Sequence, residues 1–326
     1  VLKAKEAAEI ERILFELSAE VGSFSESLSR SYALAVELGL IFSKARLAYS
    51  MRASVPAVNE AGKINLKKAR HPLIDPKQVV ATDIQLGYQF DTLVITGPNT
   101  GGKTVALKTV GLLTLMTMCG LMIPVSDGST ISLFDHVLAD IGDEQSIEQS
   151  LSTFSAHMTN IIAILDEADD RSLVLLDELG AGTDPIEGAA LAMAILENLR
   201  AMGAKLCATT HYAELKAYAL QTPGVENGCC EFDVKTLRPT YRLLIGIPGR
   251  SNAFAISERL GMPDQVVSRA RQLVSAESTK FEDVVDRLEQ SRQSMEERRQ
   301  EAEAMRLAAE RAAKEANERL ARMERD

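Results

Sequence analysis

A glycine-rich stretch with one lysine and a neighbouring threonine, GPNTGGKT, is the segment with the clearest chemistry. It fits the pattern G-x-x-x-x-G-K-[ST] and lies between a strand-like apolar run and a helical stretch. Its glycines let backbone N–H groups surround phosphate oxygens, and the helix start adds its positive dipole end. The pattern predicts a site for ATP with Mg²⁺, in which Lys103 reaches the β- and γ-phosphates and Thr104 holds the metal. The predicted ATP-binding residues are Gly97, Pro98, Asn99, Thr100, Gly101, Gly102, Lys103, Thr104 and Val105.

Two adjacent carboxylates and one histidine follow later apolar runs and could complete this site. The run SLVLL ends in Asp177 and Glu178, and a buried strand would deliver both to the phosphates. Two such acids can divide the roles of metal ligand and general base, so we assign Asp177 to Mg²⁺ and Glu178 to the attacking water. His211 follows the next run, at a strand end that faces the ligand in an α/β sheet. We predict that it contacts the γ-phosphate or the water; a capping or core histidine is the alternative.

A group of hydroxyl residues opens a further helical stretch, TFSAHMTNIIAIL. Hydroxyls and free backbone N–H groups at a helix start form an anion site. An ordinary helix cap is the alternative interpretation. The stretch concerned is Ser152, Thr153, Phe154 and Ser155, in which all residues but Phe154 carry a hydroxyl.

The elements that must position these residues are indicated by apolar spacing. From about residue 62, short strand-like runs alternate with helical stretches, which predicts an α/β fold with a mostly parallel sheet. Strands are expected at DTLVITG, SLVLLDE and AKLCATTHY, and helices from Lys103 to Cys119 and from about Ile186 to Met202.

Helical patterns flank this α/β region on both sides. Residues 1–21 have the spacing of one helix, which Gly22 ends, and Ser25 is the candidate N-cap of a second, so we expect an antiparallel helical pair. From about 278, proline and glycine vanish, and arginine enters a heptad stripe at three seam positions. The stripe predicts a coiled coil or a helix docked along a partner; an exposed single helix is the alternative.

Composition narrows the class of protein. The chain has 326 residues and 46% hydrophobic content, enough for a sizeable core, and has no apolar run of transmembrane length. A net charge of -10 argues against a uniformly basic nucleic-acid coat but leaves room for a local basic face. The four cysteines lack metal-binding spacing, which indicates a reduced, intracellular protein. Because neither a signal peptide nor an apolar run of transmembrane length is present, we expect a cytoplasmic location and no membrane partner. The first residue is Val and the last pattern is unfinished, so we expect a piece of a longer chain.

Four motifs in this order resemble the ATPase domain of the MutS family: TGPNTGGKT, SLSTFSAHM, LVLLDELGAGTDP and ATTHYAELK. The stretches DELGAGTDPIEGAALAMAIL and GIPGRSNAFAISERLG resemble its second bacterial branch, whose members lack the mismatch-reading domain. The resemblance covers about 1–275. It implies an ABC-type P-loop domain, and hence four segments: a helical core or lever segment at 1–58, the ATPase domain at 59–250, a helical dimerisation element at 251–277 and a coiled-coil-like helix at 278–326.

The resemblance also implies that two copies sandwich two ATP molecules. Residues 152–155 then form a signature that serves the partner's nucleotide, and Asp184 lies in a loop that reports across the dimer. Asn99 is expected to orient the γ-phosphate or the water. His71 lies where relatives contact the base, although a turn begun by Pro72 explains that stretch equally well. The segment 251–277 could instead be a DNA-binding helix-turn-helix.

For function, the resemblance implies a homodimeric ATPase that clamps on nucleic-acid assemblies. The expected targets are branched DNA, in suppression of homologous recombination, or stalled, collided ribosomes with their rRNA. Nuclease activity is expected in a C-terminal domain outside this chain. A structural chromosome ATPase of the SMC or Rad50 type is the alternative, but it would need long arms between Lys103 and Asp177. A transporter subunit would need an LSGGQ-like signature, where this sequence has STFS.

Overall fold

The structure is a computed structural model that describes residues 2–97, 101–142, 153–233, 238–249 and 253–273, together with residues 298, 305 and 306. Three sets of sequence predictions lie outside the described residues. They concern Pro98, Asn99 and Thr100 of the glycine-rich stretch, Ser152 of the proposed signature, and the heptad stripe apart from three isolated positions.

Two consecutive helices, α1 (Leu2–Ser23) and α2 (Ser25–Met51), open the chain. They are separated by Phe24 alone, which occupies the N-cap position of α2 without a side-chain hydrogen bond. The prediction of Ser25 as N-cap was therefore wrong by one residue. The expected antiparallel packing is also not seen, because α1 buries no residue and α2 buries only Ala48. The end of α2 does contact the rest of the chain, since Lys44 Nζ donates to the carbonyl oxygens of Cys119 and Gly120 at 3.3 Å each.

A six-stranded sheet forms the centre of the α/β region, in the order β10-β9-β4-β8-β7-β6. Only β9 and β10 pair antiparallel; the remaining four pairings are parallel, as the sequence predicted. The strands are β4 (Thr92–Thr96), β6 (His136–Asp140), β7 (Ser172–Leu176), β8 (Lys205–Thr209), β9 (Val225–Asp233) and β10 (Arg238–Ile245).

Helices cover both faces of this sheet, which explains why β4 and β7 consist entirely of buried residues. Leu93 and Ile95 pack on one face with residues of the helix after β4, whereas Val94 packs on the other face with the three later helices. This alternation follows from the two-residue period of a strand. The four helices are α3 (Lys103–Met118), α4 (Thr153–Glu167), α5 (Pro185–Ala201) and α6 (Ala213–Gln221).

A smaller four-stranded sheet packs on the α3 side, in the order β1-β5-β2-β3. Its buried side chains, among them Ile64, Leu66 and Ile84, join the same apolar cluster as Leu93 and Leu107. The sequence indicated strand-like runs here but not a separate sheet. The strands are β1 (Ala57–Asn59), β2 (Ile64–Ala69), β3 (Thr82–Leu86) and β5 (Thr130–Ser132).

Two short helices, α7 (Ala253–Arg259) and α8 (Asp264–Leu273), end the continuously described chain. Both lie within the segment 251–277, for which a helical element was expected. Arg271 of α8 joins them, because its guanidinium lies 5.1 Å from the ring centre of Phe254 and 3.0 Å from Glu258. Among the described residues, no helix is both long enough and apolar enough to cross a bilayer.

Candidate functional site: a phosphate loop at the sheet edge

The glycine-rich stretch connects the carboxyl end of β4 to the start of α3, as predicted. Gly97 and Gly102 have φ angles of 126° and 92°, a region that favours glycine. A Cβ atom at Gly97 would lie 3.3 Å from the carbonyl oxygen of Cys230, so the backbone approaches its neighbour closely. Gly102 is the N-cap of α3 and makes no side-chain cap bond. Because Gly102 has no side chain, none covers the first N–H groups of α3 from the N-cap position. Unpaired N–H groups at a helix start are the groups that bind anions.

Lys103 is almost fully buried at the first position of α3, with 2% of its surface exposed. Its Nζ donates to the carbonyl oxygen of Gly97 at 2.8 Å and contacts His211 Nε2 at 2.9 Å. Burial lowers the pKa of Lys103 to about 8, although the nearby carboxylates of Glu178 and Asp177 favour its charged form. The ammonium is thus held at the loop by groups that a phosphate oxygen could replace.

Asp177 lies directly after β7 with only 5% of its surface exposed. Its backbone N–H donates to the carbonyl oxygen of Asp140 at 2.8 Å. Its side-chain Oδ1 accepts a hydrogen bond from Thr209 Oγ1, and the same hydroxyl oxygen accepts from the Glu178 N–H at 2.8 Å. Thr209 therefore fixes both acids from the neighbouring strand. The role of Thr209 could not be predicted from the sequence, because nothing along the chain links it to Asp177 before the strand order is known.

Glu178 has a φ of 50°, a strained value for a residue with a side chain. Its carboxylate Oε1 lies 3.6 Å from His211 Nε2. The pKa of His211 is lowered by partial burial and by the charge of Lys103, while Glu178 opposes the shift. A neutral imidazole can accept from Lys103, so Lys103, His211 and Glu178 form one connected group. The structure brings these three residues together with Asp177 at the carboxyl ends of β4, β7 and β8.

The donor set also fits Mg²⁺. Magnesium in nucleotide sites is typically held by one or two protein oxygens, water and phosphate oxygens rather than by a full cage of carboxylates. The described residues contain no cluster of three or more His, Cys, Asp and Glu side chains that could hold a metal. Thr104, half-buried in the first turn of α3, and buried Asp177 supply the hydroxyl and carboxylate that such a site needs.

A cavity of about 290 Å³ lies beside the start of α3, and its mostly apolar lining suits a flat aromatic ring. His71 lines it, as the base-contact prediction requires, and so does Val105. Burial and the charge of Lys108 lower the pKa of His71. His71 Nδ1 also accepts from the Leu73 N–H at 3.3 Å, so the histidine takes part in the turn as well.

Tyr241 is a second aromatic group at this cavity, and it was not among the residues predicted from the sequence. It comes from β10, far along the chain from His71, and has a positive φ of 59°. A Cβ atom at Gly102 would lie 3.0 Å from its ring, so the ring lies against the start of α3. No spacing in the sequence could have predicted that Tyr241 lies at this cavity.

Asp184 is the N-cap of α5, and its Oδ1 accepts from the N–H groups of Ile186 at 3.0 Å and Glu187 at 3.2 Å. The loop between Glu178 and Asp184 packs tightly on α5. A Cβ atom at Gly188 would lie only 2.4 Å from the carbonyl oxygen of Gly180. The role of Asp184 across a dimer stays a prediction.

The described part of the proposed signature, at the start of α4, lies beside a different part of the sheet. The helix α4 begins at Thr153, contains half-buried Phe154 and Ser155, and packs beside the edge strand β6. Three strand intervals separate β6 from β4, and at strand spacing this is roughly 14 Å. Within one chain, the structure therefore does not bring the start of α4 to the phosphate loop.

Comparisons with known proteins agree with this architecture. The family model for MutS domain V matches residues 93–277. A protein named Endonuclease MutS2 from Caldanaerobacter subterraneus subsp. tengcongensis is 61% identical over 291 residues, which are 89% of this chain and 37% of the relative. Proteins of the same name from Lachnospira eligens and Clostridium perfringens are 62% and 55% identical, over 90% and 99% of this chain and 38% and 41% of their own length. The chain thus spans about two-fifths of the length of these relatives. Since the matched region covers more than half of the chain and contains the loop, both acids and His211, the chain belongs to the MutS family and carries its domain V.

Proposed function

We propose that this chain is an ATPase that hydrolyses ATP to ADP and phosphate with Mg²⁺. Lys103 and the α3 N–H groups would bind the phosphates, Thr104 and Asp177 would hold the metal, and Glu178 would accept a proton from the attacking water. His211, in contact with Lys103 and near Glu178, would orient that water. The convergence of these groups at the carboxyl ends of β4, β7 and β8 supports the proposal. The base would enter the cavity between His71 and Tyr241.

We propose further that the working site is shared between two copies of the chain. The strand order carries this proposal, because α4 lies beside β6 and the phosphate loop follows β4. If residues 152–155 contact the γ-phosphate, they must reach the loop of a partner. The ATP would then act as the link that closes the dimer.

Mixing two inactive variants tests the shared site. Lys103→Ala removes the loop lysine, and Ser152→Ala removes the proposed signature hydroxyl. A mixed dimer would keep one intact site, made from the loop of the Ser152→Ala copy and the signature of the Lys103→Ala copy. We expect about half of the wild-type turnover per mixed dimer, measured as phosphate release. A mixed dimer, shown to form, that turns over no faster than either variant alone would refute the shared site.

We also propose that ATP-driven closure clamps the protein on a nucleic-acid assembly, with branched DNA and stalled, collided ribosomes as the candidate targets in the bacterial cytoplasm. The helix α3 supports such coupling, since it starts at the phosphate loop and Lys44 of α2 caps the carbonyls that follow its end. The relatives of this chain are named endonucleases. In our proposal, however, Asp177 and Glu178 both act in ATP hydrolysis, as metal ligand and as general base. We therefore place any nuclease activity outside this chain.

The target can be identified by trapping the closed state in cells. Glu178→Gln is expected to bind ATP without hydrolysing it, so a tagged Glu178→Gln chain should retain its target during purification. Enrichment of ribosomal particles over a Lys103→Ala control would identify the ribosome, and enrichment of DNA would identify a DNA substrate. Recovery of neither above the control would contradict the clamp.

A further inference from the structure

A buried carboxylate, Asp140, lies at the end of β6 and is paired with two side chains of α4. Only 5% of the Asp140 surface is exposed. His157 Nδ1 lies 2.8 Å from Asp140 Oδ2, and Asn160 Nδ2 donates to Asp140 Oδ1 at 3.0 Å. An ionised carboxylate only accepts hydrogen bonds, so His157 pairs with it in the tautomer that carries the proton on Nδ1. A buried charge is costly unless it is bonded in this way.

The two donors stand one turn apart on the same face of α4, so together they fix both its position and its rotation against β6. Asn160 Nδ2 also donates to the carbonyl oxygen of Ala139 at 3.1 Å. The imidazole lies directly against the backbone that follows β6, because a Cβ atom at Gly142 would be 2.9 Å from His157 Cε1. The contacts therefore hold the first turns of α4, next to Thr153, Phe154 and Ser155.

We infer that Asp140, His157 and Asn160 are positioning residues that hold the start of α4 in the orientation it must present to the partner's nucleotide. The inference rests on the proposed shared site, and adds a set of residues that touch neither ATP nor the metal. His157 and Asn160 belong to α4, so their loss frees the helix that carries the signature. The carbonyl oxygen of Asp140, which accepts from Asp177, remains in place.

The Asp140 backbone contact suggests a competing role, in which the cluster supports Asp177 within the same chain. The mixed dimer distinguishes the two roles. Its one intact site takes the loop from the Ser152→Ala copy and the signature from the Lys103→Ala copy. A change at His157 can be placed in either copy, so that it affects either the copy that supplies the signature or the copy that supplies Asp177.

The test uses His157→Gln, because the glutamine amide reaches toward the Nε2 position of histidine and loses the donor at Nδ1. In the Lys103→Ala copy, we expect it to lower turnover by at least about tenfold, the effect of losing a hydrogen bond to a buried charge. In the Ser152→Ala copy, we expect a change within about twofold, since that copy's signature is already unused. Thr159→Ala serves as the matched control on α4, because Thr159 is exposed and bonds only to its own helix at Ser155. It should change turnover in neither copy.

His157→Asn provides the conservative rescue, because its amide nitrogen can occupy the Nδ1 position. It should restore turnover to within about threefold of the parent mixed dimer, a result that a general folding defect in His157→Gln would not predict. Three outcomes for His157→Gln would overturn the inference. Turnover could fall equally in both placements, fall only when the change is in the Ser152→Ala copy, or fall in neither. If the parent mixed dimer itself forms but is inactive, the proposed shared site fails, and this inference falls with it; an active parent that ignores His157→Gln refutes this inference alone.

Discussion

At the scale of single residues, the contacts of Lys103 show how the nucleotide-free site is held together. A lysine with 2% of its surface exposed has lost most of its hydration, and it replaces that hydration with the Gly97 carbonyl and the His211 ring. Burial outweighs the nearby charges of Glu178 and Asp177, so the pKa falls to about 8. A triphosphate would add further negative charge beside the ammonium.

Nucleotide binding should therefore take up a proton at alkaline pH. Without nucleotide, Lys103 loses its proton as the pH rises through about 8. Phosphate charge raises its pKa, so the bound state holds more protons and the affinity for ATP falls as the pH rises beyond 8. At pH 8.5, calorimetry in buffers of different ionisation enthalpy should show uptake of roughly 0.7 proton per ATP. Lys103→Arg is the control, because a guanidinium stays charged and should take up none. Equal uptake by both proteins would contradict the assignment.

The strained Glu178 leads to a separate prediction about chemistry. Glu178→Gln keeps the size of the side chain and the Thr209 contact of the backbone N–H, but removes the base. ATP binding should survive within about threefold, while turnover should fall by at least about 100-fold, the usual contribution of a general base. Single-turnover hydrolysis measures the second quantity and nucleotide titration the first. Normal turnover in Glu178→Gln would move the base to another residue.

At the scale of elements, the loop after β7 is held by contact between two glycines. Gly180, with a φ of 86°, meets Gly188 in the first turn of α5, and Tyr212 Oη donates to the Gly180 carbonyl at 2.8 Å. The loop that contains Glu178 and Asp184 thus lies against Gly188 of α5 and against Tyr212, the residue before α6. Its position depends on the absence of a side chain at Gly188.

Replacing Gly188 by alanine should destabilise the chain, although alanine favours helices. The added Cβ would lie 2.4 Å from the Gly180 carbonyl oxygen and 2.8 Å from Tyr212 Oη, and overpacking of this kind costs about 1–3 kcal/mol. Gly39→Ala in α2 is the matched control, since no atom lies within 4 Å of its added Cβ. It should be neutral or stabilising by up to about 1 kcal/mol. Urea unfolding monitored by circular dichroism compares the two; equal midpoints would show that the loop moves aside at no cost.

What the sequence could predict depended on how close in the chain the cooperating residues are. The loop, Lys103 and the start of α3 are contiguous, and Asp177 and Glu178 follow one buried strand, so motif and periodicity were sufficient to predict where these residues lie in the fold. Tyr241 and Thr209 reach the site only through the strand order, which a single sequence does not encode locally. The predicted antiparallel packing of α1 and α2 was wrong for another reason. Apolar spacing predicts a helix face that could be buried, but it does not show which surface, if any, packs against that face. In α1 that face is exposed throughout.

At the scale of the whole molecule, charge limits how nucleic acid can be bound. The chain carries a net charge of -10, so a phosphate backbone would be repelled by most of its surface. Direct binding must therefore use a local basic face, whereas binding through a protein component of a larger assembly need not. The two modes differ in how strongly they depend on salt.

If the chain binds nucleic acid directly, its affinity should fall steeply as salt displaces the contacts to phosphates. Between 50 and 200 mM salt, the Glu178→Gln chain with ATP should lose on the order of ten- to a thousandfold in affinity for a four-way DNA junction, as expected for two to five neutralised phosphates. Fluorescence anisotropy at several salt concentrations measures the slope. Lys103→Ala is the control, because it cannot close on ATP and should bind weakly at every concentration. A tight but salt-independent affinity would exclude a phosphate-reading face on this chain and direct the search to a protein surface of the target.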